Sequence, residues 1–355
     1  MPRTSRLHRY CMLLILLLLV CPTSGVSAGA NQVLIGLDTN PPPSEPYSPA
    51  TLRKWFKIGV DSGMTTVSLS PVWKNVEKTP GQYKLSDEEF QSQLASDFKL
   101  PIYLNIRIID TNNSGVPASY AQWSFADPRM AEKLEGLITA LASQLHGDIR
   151  WVSVGNEVND YFSAHQDQIA AYRTLLDRIR PTLRKSFPHA EFTVDFTFAG
   201  LAGLHKEFKP ITDTVDFYSF TYYPMNPDFT FRNPDAARGD IHKMVEAAGN
   251  QKVFFQEIGY ASSGQVDSSQ EKQARFLKNV FAALREYRSH IIAAHFVWMS
   301  DIPLSLVNHF GDYYKLPNSD KFKGFLASLG YFQRDGKPKA AWKVFAQEAP
   351  KMAHR

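Results

Sequence analysis

Eight short apolar runs alternate with helix-like stretches along this chain, and that rhythm limits the fold more than any other feature. The runs are Val33 to Asp38, Thr65 to Leu69, Ile102 to Ile108, Trp151 to Gly155, Phe192 to Phe196, Phe217 to Tyr222, Val253 to Glu257 and Ile292 to Trp298. Each is apolar along most of its length, as expected of a parallel strand buried on both faces. Helix starts are readable between them: Ser48-Pro49, the capping box Ser86-Asp-Glu-Glu89, Asp127-Pro128 and Asn233-Pro234, with Gly63 as a stop. Alternation over about 320 residues predicts one α/β domain. A closed (β/α)8 TIM barrel and an open doubly wound sheet both fit that rhythm. The open sheet would carry a glycine-rich phosphate turn after its first strand, whereas this strand runs into Asp38-Thr-Asn-Pro-Pro-Pro43. The expectation is a single-domain barrel over residues 31–350.

Residues 1–30 stand apart. Arg3, Arg6 and Arg9 precede the apolar run Met12 to Val20, and small residues follow around Val26-Ser27-Ala28. This is the layout of a cleaved signal peptide, and the run falls short of the ~20 residues a membrane span needs. A secreted or periplasmic protein is expected. Lipid anchoring at Cys21 is not, because Val20 is larger than the small residue that processing wants. Cys11 and Cys21 are the two cysteines of the chain, so the remainder has no disulfide, thiol nucleophile or cysteine metal site. A core of this size can manage without bridges.

The whole chain has 39 basic and 35 acidic residues, and removal of the three N-terminal arginines leaves 36 against 35. A nucleic-acid partner is not expected of so balanced a surface, since such binding needs surplus cations. The histidines are scattered without metal-ligand spacing. No metal or cofactor is expected, and a monomer is.

Two glutamates close apolar runs: Glu157 in Trp151-Val-Ser-Val-Gly-Asn-Glu157 and Glu257 in Lys252-Val-Phe-Phe-Gln-Glu257. Barrels of this kind build their active sites at the C-terminal ends of strands. A pair of carboxyl groups facing each other there suits an acid and a nucleophile.

Further motifs fall in order along the strands. Asn156-Glu157 ends the fourth strand and Glu257 the seventh. Trp73-Lys-Asn-Val-Glu77-Lys-Thr-Pro-Gly81-Gln-Tyr83 follows the second, Thr221-Tyr222-Tyr223-Pro224 closes the sixth, and Trp298 ends the eighth. Together they resemble the clan A glycoside hydrolases, the retaining β/α-barrel glycosidases, over nearly the whole chain after residue 30. The Trp73 stretch is similar to the clan's Trp-x-x-x-Glu-Pro-x-x-Gly-x-Tyr, with Lys78 in place of the proline. The resemblance implies Glu157 as acid/base, Glu257 as nucleophile, Asn156 on the sugar 2-hydroxyl and Trp298 as sugar platform. By the same analogy Tyr223, with Tyr222 second, donates to the nucleophile.

Trp73 and Asp38 are further substrate-binding candidates. Arg107, on the third strand, is a candidate for bridging carboxylates, although the clan's usual arginine lies on the second strand, where this chain has none. If Trp298 points into the barrel, strand alternation turns His295 toward the helices, as a satisfied core residue rather than a ligand. Tyr83, Tyr120, Trp123, Tyr161 and Phe162 join Trp73 as loop aromatics for stacking on sugars. Asn112-Asn113-Ser114 is a glycosylation sequon whose occupancy would crowd the cleft. The implied activity is hydrolysis of a β-linked polysaccharide or oligosaccharide. A transglycosylase using the same glutamates and a non-catalytic carbohydrate-binding barrel are the alternatives.

Overall fold

The computed structural model describes residues 32–353. The signal segment expected at 1–30 lies outside them. Eight parallel strands form the core: β1 (Leu34–Leu37), β2 (Val67–Leu69), β3 (Pro101–Asp110), β4 (Asp148–Asn156), β5 in two pieces (Glu191–Thr193 and Asp195–Thr197), β6 (Tyr218–Tyr222), β7 (Val253–Ile258) and β8 (Ile291–Phe296). Each is hydrogen-bonded to the next, and β8 returns to β1 with Leu37 opposite Phe296. Two junctions need irregular chain. The first piece of β5 pairs with β4 and the second with β6. Between β1 and β2 the contact is a single bridge, Gly36 with Thr66, helped by the Thr65 hydroxyl accepting from the Ile35 N–H at 2.8 Å. The fold is a (β/α)8 TIM barrel, as the alternation of runs predicts.

Helices surround or follow the strands, among them α1 (Pro49–Asp61), α2 (Ser86–Asp97), α3 (Pro128–Gln144), α4 (Ile169–Ser186), α5 (Ala236–Ala248), α6 (Gln270–Glu286), α7 (Leu304–Tyr313), α8 (Asp320–Leu326) and α9 (Ala340–Glu348). Ser48 and Asp127 cap α1 and α3 as expected, accepting from Thr51 and Arg129 N–H. The capping box does not form: Ser86 is already helical in α2, and Leu85 holds the cap position. At α5 the start slips to Ala236, with Asn233 Oδ1 accepting from the Asp235 N–H in the preceding turn.

Inside the ring, Tyr103, Trp151, Phe254 and Ala293, from four different strands, and Phe217, just before β6, pack as a cluster separate from the core beneath the helices. Above it Tyr103 donates to Asp195, and its hydroxyl lies 3.0 Å from that of Ser219. His295 belongs to this interior, edge-on to Phe254 and Tyr103 at 5.2 and 6.3 Å. The expected orientation toward the helices is therefore wrong, and Phe296 is the residue that packs outward, on Phe281 and Phe345. Alternation ends with β8 at Phe296, and Trp298 lies beyond it after a cis Val297–Trp298 peptide. Nor is His295 satisfied: both ring nitrogens are buried without a protein partner, and burial pushes its pKa down to about 3, so the ring is neutral.

The tryptophan motif after β2 also has an architectural role. Glu77 is 1% exposed and accepts from Trp73 Nε1 at 2.5 Å, Tyr120 hydroxyl at 2.8 Å and the Gly81 N–H at 2.6 Å. Gly81 has a φ of 77°, which explains a glycine at the turn. Trp73 is fully buried and does not reach a ligand, because its indole N–H is bound to Glu77 beneath the loop. Glu77→Ala leaves three donors without their acceptor and is expected to cost about 2–4 kcal/mol. Chemical unfolding that shows less than 1 kcal/mol would deny Glu77 this organising role.

Candidate active site

The C-terminal ends of the strands surround a cleft of about 1210 Å³ containing Asp38, Arg107, Asn156, Glu157, Tyr223, Glu257 and Trp298. The two glutamates reach it differently. Glu257 sits within β7 and projects from the strand. Glu157 lies one residue past β4, with φ 50°, after Gly155 at φ 114°. A side chain on Gly155 would also meet the Tyr172 hydroxyl at 2.7 Å, so glycine is required there on two grounds. This corner fixes where the Glu157 carboxyl points, and a non-glycine residue in the left-handed region is a strain found chiefly at functional sites.

Each carboxyl has its own set of donors. Glu257 pairs with Arg107 Nη2 at 2.9 Å and accepts from the Tyr223 hydroxyl at 2.7 Å. Glu157 accepts from the hydroxyls of Thr111 at 2.6 Å and Thr221 at 2.5 Å. Thr221 stands directly opposite Glu257 in the β6–β7 pairing. The residue holding Glu157 is thus only one strand spacing from the Glu257 backbone, about 4.8 Å.

Their electrostatics differ as well. Desolvation at the mouth, then the charges of Glu257 and Asp160, push the Glu157 pKa up to about 8, against the lowering effect of the two threonines. A proton is held on Glu157 at neutral pH, beside a Glu257 that faces a guanidinium. This is the opposed environment expected of an acid and its anionic partner.

Arg107 also binds Asp110 at 3.2 Å, so from β3 it bridges the carboxylates of Asp110 and Glu257. Asp110 in turn accepts from Tyr313 at 3.0 Å and, at 3.5 Å, from the Asn156 amide. Asn105 donates to Asn156 Oδ1 at 3.1 Å, so the amide beside Glu157 is held from both ends. Trp298 lines the cleft with its ring nearly parallel to Phe310, 6.5 Å away.

Tyr222 is not part of this assembly. It points the other way along β6 and donates to Asp240 at 3.0 Å beneath α5. The expected loop aromatics are also displaced: Tyr120, Tyr161 and Phe162 are buried, and Trp123 stacks on Tyr120 with Arg129 over its face. The apolar wall comes instead from Phe198 and Phe229 after β5 and β6, and from Phe310, Tyr314, Phe322 and Phe325 after β8. Among the described residues no group of three or more His, Cys, Asp or Glu is placed to hold a metal ion.

The raised acid has a stability consequence with a definite sign. The folded state retains a proton that the unfolded chain releases near 4.5, so its contribution is complete below that pH and is lost as pH rises toward 8. Glu157→Gln is therefore expected to raise Tm by roughly 2–4 degrees at pH 8, with no change at pH 4. Equal shifts at both pH values, read by calorimetry, would contradict the proton assignment.

This combination, a parallel barrel with paired carboxyls at its C-terminal mouth, defines the chain as a protein of the (β/α)8 TIM-barrel fold. No protein-family model and no curated protein sequence matches it. Solved structures do. A GH5_18 protein from Streptomyces cattleya in complex with GlcNAc is 17% identical with a TM-score of 0.69, over 92% of this chain and 81% of that one. Exo-β-1,4-mannosidase Op5Man5 from Opitutaceae bacterium strain TAV5 is 16% identical with a TM-score of 0.73, over 93% and 61%. Xylanase 10B from Thermotoga maritima is 16% identical with a TM-score of 0.63, over 92% and 97%.

Proposed function

We propose that the protein is a secreted retaining β-glycosidase that hydrolyses a β-linked polysaccharide or oligosaccharide by double displacement. The observation that carries this reading is the division of labour between two carboxyls in one cleft: Glu157 protonated near neutrality, Glu257 ion-paired with Arg107 and bonded to Tyr223. In the first step a Glu257 oxygen attacks the anomeric carbon while Glu157 gives its proton to the departing glycosidic oxygen. A glycosyl ester on Glu257 results. In the second, Glu157, now a carboxylate, takes a proton from water as that water attacks the same carbon and frees Glu257. Thr111 and Thr221 keep Glu157 in place through both steps, and Tyr223 steadies the Glu257 oxygen. The Trp298 face packs on the sugar. Export is supported by the arginine-led apolar run at the N-terminus.

The barrel neighbours named above include one crystallised with GlcNAc and one named an exo-β-1,4-mannosidase, which supports a glycan substrate. The test is reducing-sugar release by residues 31–355 from β-mannan, β-glucan, β-galactan, xylan and arabinogalactan, beside Glu257→Gln. Release from one polymer that vanishes in the variant, with the β-anomer formed first by NMR, is the expected result. A folded protein silent on the whole panel, or an initial α-anomer, would count against the reading. Activity is also expected to fall as pH rises through about 8, where Glu157 loses its proton.

A further inference from the structure

Asp38 takes no part in the two-glutamate chemistry, although it stands beside it. Its backbone is fixed by the eighth strand, with its N–H donating to the Phe296 carbonyl at 3.1 Å and its carbonyl accepting from the Met299 N–H at 2.8 Å. The side chain lines the cleft. Among the described residues no donor reaches its carboxyl, because Arg107 commits Nη1 to Asp110 and Nη2 to Glu257. Desolvation, then repulsion by Glu257, push its pKa up to about 7 against the pull of Arg107. A second polar residue lines the same cleft. Gln256, next to Glu257, is 2% exposed, lines the cleft, and has no partner for its Oε1. Two unpartnered polar side chains lining one cleft are hydrogen-bonding capacity left for a ligand.

The charge of the lining narrows the ligand. Six carboxyl groups face the cleft, those of Asp38, Asp87, Glu88, Glu157, Asp160 and Glu257, against one cation, Arg107, which is already bridged. A sugar carboxylate would enter without a counter-ion and beside like charges. A hydroxyl meets the opposite conditions, since a carboxylate accepts a charge-assisted bond from it.

We propose that Asp38 is the residue that selects the sugar bound next to Glu257, accepting from a hydroxyl of an uncharged sugar while the acidic lining rejects uronic acids. This rests on the glycosidase reading. Sites built to bond a substrate hydroxyl discriminate strongly against the analogue that lacks it. Asp38 and that hydroxyl should therefore behave as one unit, each worth little once the other is gone.

The experiment is a cycle between Asp38→Ala and monodeoxy versions of the neutral aryl β-glycoside the enzyme cleaves fastest, with the aryl β-glucuronide alongside. On the parent, Asp38→Ala is expected to lower kcat/KM at least 100-fold. On one monodeoxy analogue the wild type should lose a similar factor, and the substitution should then cost less than threefold more. The glucuronide should be cleaved at least 100-fold more slowly than the parent. An equal loss for Asp38→Ala on the parent and every analogue, or a preference for the glucuronide, would overturn the proposal. The wild-type deoxy series needs no variant: should no single hydroxyl matter, the proposal fails even if Asp38→Ala does not fold. A wild type that cleaves no glycoside at all removes the glycosidase reading, and this inference with it. Turnover with a uniform Asp38 effect removes only the inference.

Discussion

Glu257→Ala is expected to lower turnover on every glycoside by a factor on the order of 10⁴ or more. The loss should fall on kcat, since Glu257 is the group that forms the glycosyl ester in the proposed mechanism. Azide provides the sharper test. Alanine vacates the place where Arg107 and the Tyr223 hydroxyl both point, 2.9 and 2.7 Å from the missing oxygens. A small anion held there attacks the anomeric carbon from the nucleophile's side and cannot be displaced by a second in-line step. The product should be the α-glycosyl azide from a β-glycoside, with activity partly restored. Full activity without azide would remove Glu257 from the mechanism.

Glu157→Ala should behave differently, because protonation matters only where the leaving oxygen is basic. On natural oligosaccharides the loss is expected to be about 10²–10⁴-fold. On aryl glycosides with acidic phenols, formation of the glycosyl ester should be nearly unimpaired, with the ester accumulating because no base activates water. A burst followed by slow steady release is the signature. Equal losses across a series of leaving groups would argue that Glu157 supports the site without donating a proton.

The sequence made the barrel readable because its strands are buried on both faces and are apolar along most of their length. The two glutamates were readable for a related reason: a carboxyl ending an apolar run has few structural uses. Side-chain direction was harder. Tyr222 and Tyr223 are neighbours in one motif, and strand alternation alone favours Tyr223, because Thr221 two residues earlier must share its face. The same rule failed at His295, where it was extended past the end of β8 into Trp298. Trp73 misled because a tryptophan, a glutamate and a glycine at that spacing close on one another as a turn, and a pattern of residue types does not reveal whether a ring faces its own loop or a ligand. Thr111 carries no composition signal; its φ of 56° is visible only in three dimensions. The aromatic wall after β8 was missed because the positions of α7 and α8 over the mouth depend on packing between distant segments.

That last segment also bears on how freely the wall of the cleft can change. The stretch from Leu304 to Leu329 enters and leaves at a fixed neck, where Ser300 pairs with Phe332 and Asp301 binds both Lys339, at 2.7 Å, and the Gly330 N–H, at 3.0 Å. It supplies Phe310, Tyr314, Phe322 and Phe325 to the cleft but neither glutamate, and it touches the carboxylate network through Tyr313 on Asp110. The glutamate pair and this part of the apolar wall are thus encoded in separate stretches of one chain. Substitutions in this stretch can reshape the wall while the supports of the two glutamates persist, provided a hydroxyl remains where Tyr313 stands.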